Sequence, residues 1–217
     1  MPRPRILKDT QGGPLLEFTV LLVFFFVFVF GMIEFMLLFW QFNGASKAVQ
    51  HGARIAAVSD PVAPNFREYD GTEFTDLQPG DPIPVGAYWA ECDGATGQCE
   101  SNQGLMAGPL DSDALNTIVY GRGNGSQCAT GEGLHRVGMC FFFPQIEPEN
   151  IVIRYDATGL GFVNRPGGPV PTVTISLQDL DFRFFFLGGL IDLNRIAIPM
   201  LRTTVTGEDL SVTWGTT

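Results

Sequence analysis

The chain has 217 residues, 45% of them hydrophobic, with 23 acids against 13 bases for a net charge of −10. The acid excess lies beyond residue 58, where 20 acids face 8 bases, a balance of −12. That excludes a nucleic-acid-binding surface, which needs a cationic one. About 160 residues follow residue 58, enough for one domain with its own core.

The first 12 residues are a short basic leader, in which Arg3, Arg5 and Lys8 face only Asp9. Gly12 and Gly13 follow, then Pro14, Leu15, Leu16, Glu17 and Phe18. From residue 18 to residue 40 the only charge is Glu34. These 23 residues cover roughly 35 Å as a helix, against a bilayer core of about 30 Å. Phe and Val favour strands individually. Length decides for a membrane helix, because in lipid a helix satisfies its own backbone. The basic side stays in the cytoplasm, so the larger, acidic part is expected outside. An ordinary cleaved signal places small residues after its apolar run; here Gly12 and Gly13 precede it. From residue 41 to 58 the helix turns amphipathic, with Ala48, Val49, Gly52, Ile55 and Ala56 at helical spacing. The expected divisions are a leader at 1–12, a continuous helix at 13–58 and an acidic extracytoplasmic domain at 59–217.

Residues 59–110 are rich in Pro, Gly and acids, with nine acids and one base, Arg67. They read as surface loops with few regular elements. Asp70, Glu73, Asp76, Asp81 and Asp93 raise the question of a calcium loop. Their spacing lacks the alternating pattern of a calcium-binding hand, and solvated loop charge is the preferred reading. Cys92 and Cys99 bracket one short segment; Cys128 and Cys140 bracket another. Pairing of neighbours is the simplest of three connectivities and fits an oxidising compartment. A zinc site finds no close cysteine pair, and only His135 nearby. A short helix is expected from 111 to 120, capped by Asp111 or Ser112 and ended by Gly121. The apolar run 139–143 suggests a strand. Ile151, Ile153 and Tyr155, then Val173, Ile175 and Leu177, alternate with polar residues and predict two adjacent antiparallel strands. Residues 182–187, 201–206 and 210–214 are candidates for more. The fold class is therefore α+β: a long amino-terminal membrane helix continuing into a small antiparallel β-sheet domain with long loops.

The order of leader, Gly, four residues, Glu, Phe and long apolar helix, together with GMIEF, LFWQFN and HGARIAA, resembles the TadE-like family. These are minor pseudopilins of the Tad (Flp-type) pilus system, and the resemblance spans residues 12–57. It implies a pilin-like subunit of the inner membrane with a periplasmic domain. It also implies cleavage by a prepilin peptidase at Gly12–Gly13, which leaves Glu17 as residue five beside Phe18. Its implied partners are other pilins and pseudopilins, pilus assembly proteins and membrane lipid. Glu17 would meet the new α-amino group of a neighbouring subunit, or else cap the helix amino terminus. Glu34 lies about 25 Å further on, near the outer interface with Trp40, where it would either snorkel or touch another helix.

No catalytic constellation, metal site or cofactor motif is legible. The chain reads as a structural protein. The alternative is a membrane-anchored binding module for carbohydrate or calcium, with Tyr69, Trp89 and Trp214 as its aromatic face, although core packing explains these residues more cheaply.

Overall fold

The computed structural model describes residues 13–72, 76–123, 125–128, 137–184, 195–197 and 199–207. Helix α1 runs without interruption from Gly13 to Ala56. It passes through two compact units: one holds Met1–Trp40 and Asp181–Ile196, the other Gln41–Leu180 and Ala197–Thr217. In the first, the helix presents Leu15, Phe18, Phe24, Phe28 and Met36 outward, each more than half exposed. Exposed apolar surface on this scale is unfavourable in water and neutral in lipid. By length and composition, the helix can cross a membrane.

The second unit contains a six-stranded sheet. Its strands are β1 (Trp89–Asp93), β2 (Gln98–Ser101), β3 (Gly108–Pro109), β4 (Ile151–Asp156), β5 (Thr172–Leu177) and β8 (Arg202–Thr206). The order is β3-β2-β1-β4-β5-β8, and every pairing is antiparallel. Strands β6 (Asp181–Arg183) and β7 (Arg195–Ala197) form a separate two-stranded sheet. Helix α2, Ser112–Tyr120, is capped by the Asp111 carboxylate, which accepts from the N–H groups of Asp113 and Ala114, and is closed by Gly121.

One sheet face is buried. Ile151, Ile153 and Tyr155 of β4 pair across with Leu177, Ile175 and Val173 of β5. They share one core with Ala90 and Cys92, with Ile118 and Val119 of α2, and with Ala45, Ala48, Val49, Ala53 and Ala56 of α1. The α1 stripe consists mostly of small residues, and at Gly44 and Gly52 the helix lies against the Phe142 carbonyl and the Met139 side chain. The alternation in β4 and β5 thus has the meaning expected from the sequence, and so does the amphipathic end of α1.

Three expectations need correction. Residues 59–110 contain three strands. Glu91 and Asp93 point to the open face of the sheet while Ala90 and Cys92 point inward, so the acids decorate a strand. The run 139–143 is no strand: Met139–Phe141 is a 3-10 turn. Its apolar side chains are used differently, with Met139 and Phe143 buried in the core and Phe141 exposed. The strand expected at 182–187 overlaps β6, Asp181–Arg183, and its residues 185–187 lie outside the described residues. Residues 210–214 and His135 lie outside the described residues.

Phe66, Tyr69, Tyr88 and Tyr155 form an aromatic group in the core, with ring centroids 5.0–5.7 Å apart. The Tyr155 hydroxyl accepts a hydrogen bond from the Val62 N–H at 3.0 Å. The Tyr88 hydroxyl is buried with no hydrogen-bond partner among the described residues. Burial pushes both phenols above the ordinary tyrosine value. In the unfolded chain each ionises near pH 10. A pKa raised on folding gives stability that is complete below about pH 10 and is lost as the pH rises past it. The expected outcome is a sharp loss of stability above about pH 10. Tyr155→Phe should cost about 1–3 kcal/mol at pH 7, because the Val62 N–H is orphaned. Tyr88→Phe should be neutral or stabilising, because it removes an unsatisfied hydroxyl. Denaturant titrations of the detergent-solubilised chain at pH 7 and pH 10.5 check all three.

Candidate functional site

Gly13 is the first residue of α1, and a side chain there would meet nothing within 4 Å. Gly12 lies outside the described residues. Glu17 and Phe18 stand one turn in, both exposed, with Phe18 at 65%. Behind them the Thr19 hydroxyl donates to the Leu15 carbonyl at 2.8 Å, which gives that side chain a partner within the helix. Further on, Phe26 and Phe30 stack at 5.8 Å with Phe25 set edge-on to Phe26. The start of the helix is thus an open site: a carboxylate and an aromatic ring on an uncovered apolar rod.

Glu34 is buried. It is 0% exposed, while Ile33 and Phe35 beside it are 45% and 59% exposed. The carboxylate is removed from solvent, which disfavours snorkelling and leaves the expected contact with another segment open. The physical reason is cost. An ionisable group at this depth is tolerated when protein surrounds it and supplies polar partners.

The four cysteines form two disulfides, Cys92–Cys99 and Cys128–Cys140. Cys92 and Cys99 are direct cross-strand partners in the β1–β2 hairpin. Cys140 is buried beneath an exposed Cys128. The acids that suggested calcium serve turns instead. The Asp70 carboxylate accepts from the Thr72 hydroxyl and N–H, which lowers its pKa. Asp81 accepts from the Gln78 N–H. Asp93 accepts from the Ala95 N–H and from the Gln178 side chain. Glu73 lies outside the described residues. Among the described residues no three metal-type side chains converge.

The aromatic face proposed for a binding module is not assembled. Tyr69 is 1% exposed, a core residue, and Trp214 lies outside the described residues. Trp89 is half-buried with the Arg154 guanidinium 5.0 Å over its ring. Arg154 also donates to Asp156 and Glu91 at 3.0–3.1 Å, and these carboxylates hold its pKa above the usual arginine value. The sequence reading missed this charged cluster because its members come from two strands. His51 is a packing residue, with Nε2 2.9 Å from the Val137 carbonyl and its ring against Phe142.

Residues 15–54 match the model of a family described as TadE-like protein. The matched segment lies wholly inside α1. No curated protein and no solved structure matches the chain.

The matched segment ends on the face that enters the core. A Cβ at Gly52 would fall on Sδ and Cγ of the buried Met139. In an exposed helix, replacing Gly by Ala stabilises by about 1 kcal/mol. Here overpacking opposes that gain and costs about 1–3 kcal/mol. Gly52→Ala should therefore give no stabilisation, and Gly52→Val should lower stability by about 2 kcal/mol; denaturant midpoints of the detergent-solubilised chain decide.

Proposed function

We propose that this chain is a TadE-like minor pseudopilin, a single-pass structural subunit used in assembling a Tad/Flp pilus. The observation that carries the reading is the coincidence of the TadE-like match, residues 15–54, with an uncovered apolar helix. A pilus-related role follows from the family; the pseudopilin role is our own step. One feature supports it: Glu17 stands exposed near the amino-terminal end of the described helix.

In this reading a prepilin peptidase of the inner membrane cuts Gly12–Gly13. A bond ending at Pro14 would be a poorer substrate. Pro14 then sits in the first turn, where its missing N–H costs nothing. The apolar face of α1 packs on sister helices, and Glu17 pairs with the α-amino group of a neighbour. The acidic domain stays in the periplasm, where both disulfides persist. The role is structural, with no reaction of its own. Burial of Tyr69 weighs against the alternative of a carbohydrate-binding module.

The expected mature chain from native membranes starts at Gly13, as read by intact mass and amino-terminal sequencing. A chain starting at Met1 or Pro2 overturns the processing and removes the partner assigned to Glu17. Glu17→Ala should abolish piliation, with protein level and membrane insertion unchanged. Normal piliation in that variant would reduce α1 to an anchor.

A further inference from the structure

The six-stranded sheet has two edges of unequal quality. One is β3, only Gly108–Pro109, and its proline blunts it. The other is β8, Arg202–Thr206, whose pairing on one side is with β5. The register shows which of its backbone groups are free. The Leu177 N–H donates to the Leu201 carbonyl at 2.9 Å, and the Gly207 N–H donates to the Pro171 carbonyl at 2.8 Å. Hydrogen-bonded pairs alternate in an antiparallel ladder, so Leu201, Thr203, Val205 and Gly207 face β5. The N–H and C=O groups of Arg202, Thr204 and Thr206 therefore point outward, and no described residue bonds to them. Thr203 and Val205 are half-buried while Arg202, Thr204 and Thr206 are exposed. The strand is thus anchored on one face and along one side, with its other side open.

We propose that β8 is a self-association edge, on which a second copy of this chain lays its own β8 antiparallel. The segment from 199 to 206, PMLRTTVT, contains no acid in a chain of net charge −10. Two copies repel over most of their surface, and this edge is a place where they do not. The strand is also self-complementary. A two-fold centred on Thr204 sets Thr204 opposite Thr204 and Arg202 opposite Thr206, with the two arginines apart. Each outward residue then exchanges its N–H and C=O with its counterpart. Thr–Thr pairs are favourable cross-strand neighbours, and this sheet already has one: the Thr174 and Thr204 hydroxyls lie 2.9 Å apart. The contact is isologous, so it closes at two copies, and it uses main-chain pairing of the strand-addition type. It does not rest on the pseudopilin reading; an anchored protein of any role could pair this way.

Among the described residues no cysteine is free, so a single introduced cysteine reports its own neighbours. The test uses the full chain in native membranes with Thr204→Cys, and Val85→Cys, 77% exposed, as comparison. The expected result is a disulfide-linked homodimer from Thr204→Cys only. In lipid nanodiscs the wild-type Arg202, Thr204 and Thr206 amides should exchange at least tenfold more slowly than in Thr204→Lys, with Thr203 and Val205 equally protected in both. Thr204→Lys places like charges opposite each other and leaves the β5 ladder intact. Thr204→Pro, which deletes only an outward N–H, should act alike. Three results overturn the proposal: Thr204→Cys stays monomeric, it links to a chain of different mass, or the outward amides are unprotected in the wild type.

Discussion

The backbone hydrogen bonding of α1 is the constraint on which the other features depend. A helix that closes its own N–H and C=O groups can lie in lipid or in protein without change of conformation. Over the 44 residues from Gly13 to Ala56 only the side chains change. Phe and Val dominate where the helix is mostly exposed; Ala45, Ala48, Ala53 and Ala56 take over where it enters a core. Bulky side chains maximise contact with acyl chains. Small ones let the Phe142 carbonyl and the Met139 side chain approach the helix. One secondary structure thus serves two solvents, and the composition along it records which solvent each turn meets.

The sheet domain answers a different problem. It must be soluble, carry a large acid excess and still bury a core. It does so by strict two-sidedness. Ile151, Ile153 and Tyr155 face inward, while Arg154 and Asp156 face outward and Arg154 joins Asp156 and Glu91. Exposed pairs of this kind contribute little to stability, so the acids act mainly on solubility and on which surfaces tolerate another copy. The Cys92–Cys99 bridge ties the hairpin whose strands carry much of that charge, Glu91, Asp93 and Glu100. In the chain-entropy account, a loop this short gives about 2–3 kcal/mol.

Legibility in the sequence followed the range of the interaction that fixes each feature. The membrane helix rests on length alone, and α2 on a local cap and a local glycine, so both were readable. Strands β4 and β5 were readable because six-residue alternations are long enough to outweigh chance. Strand β1 has the same alternation, but its outward positions are Glu91 and Asp93 within a stretch of Pro, Gly and acids, and composition hid it. The run 139–143 failed for the opposite reason: five apolar residues before Pro144 suit a strand or a buried turn equally, and only tertiary packing separates them. For Glu34 the sequence left snorkelling and a helix contact open, and its burial disfavours the first. For Tyr69 core packing was the cheaper of two readings, and the residue is buried.

The same reasoning bears on how much function the fold can carry. At the amino-terminal end of α1, Glu17 and Phe18 are uncovered; at its other end the helix is sealed by core residues from α2 and the sheet. The part that matches a family includes the exposed apolar part of the helix. Residues 15–54 match a family while no solved structure matches the chain. The matched residues run from the exposed apolar part of α1 to the face that enters the core.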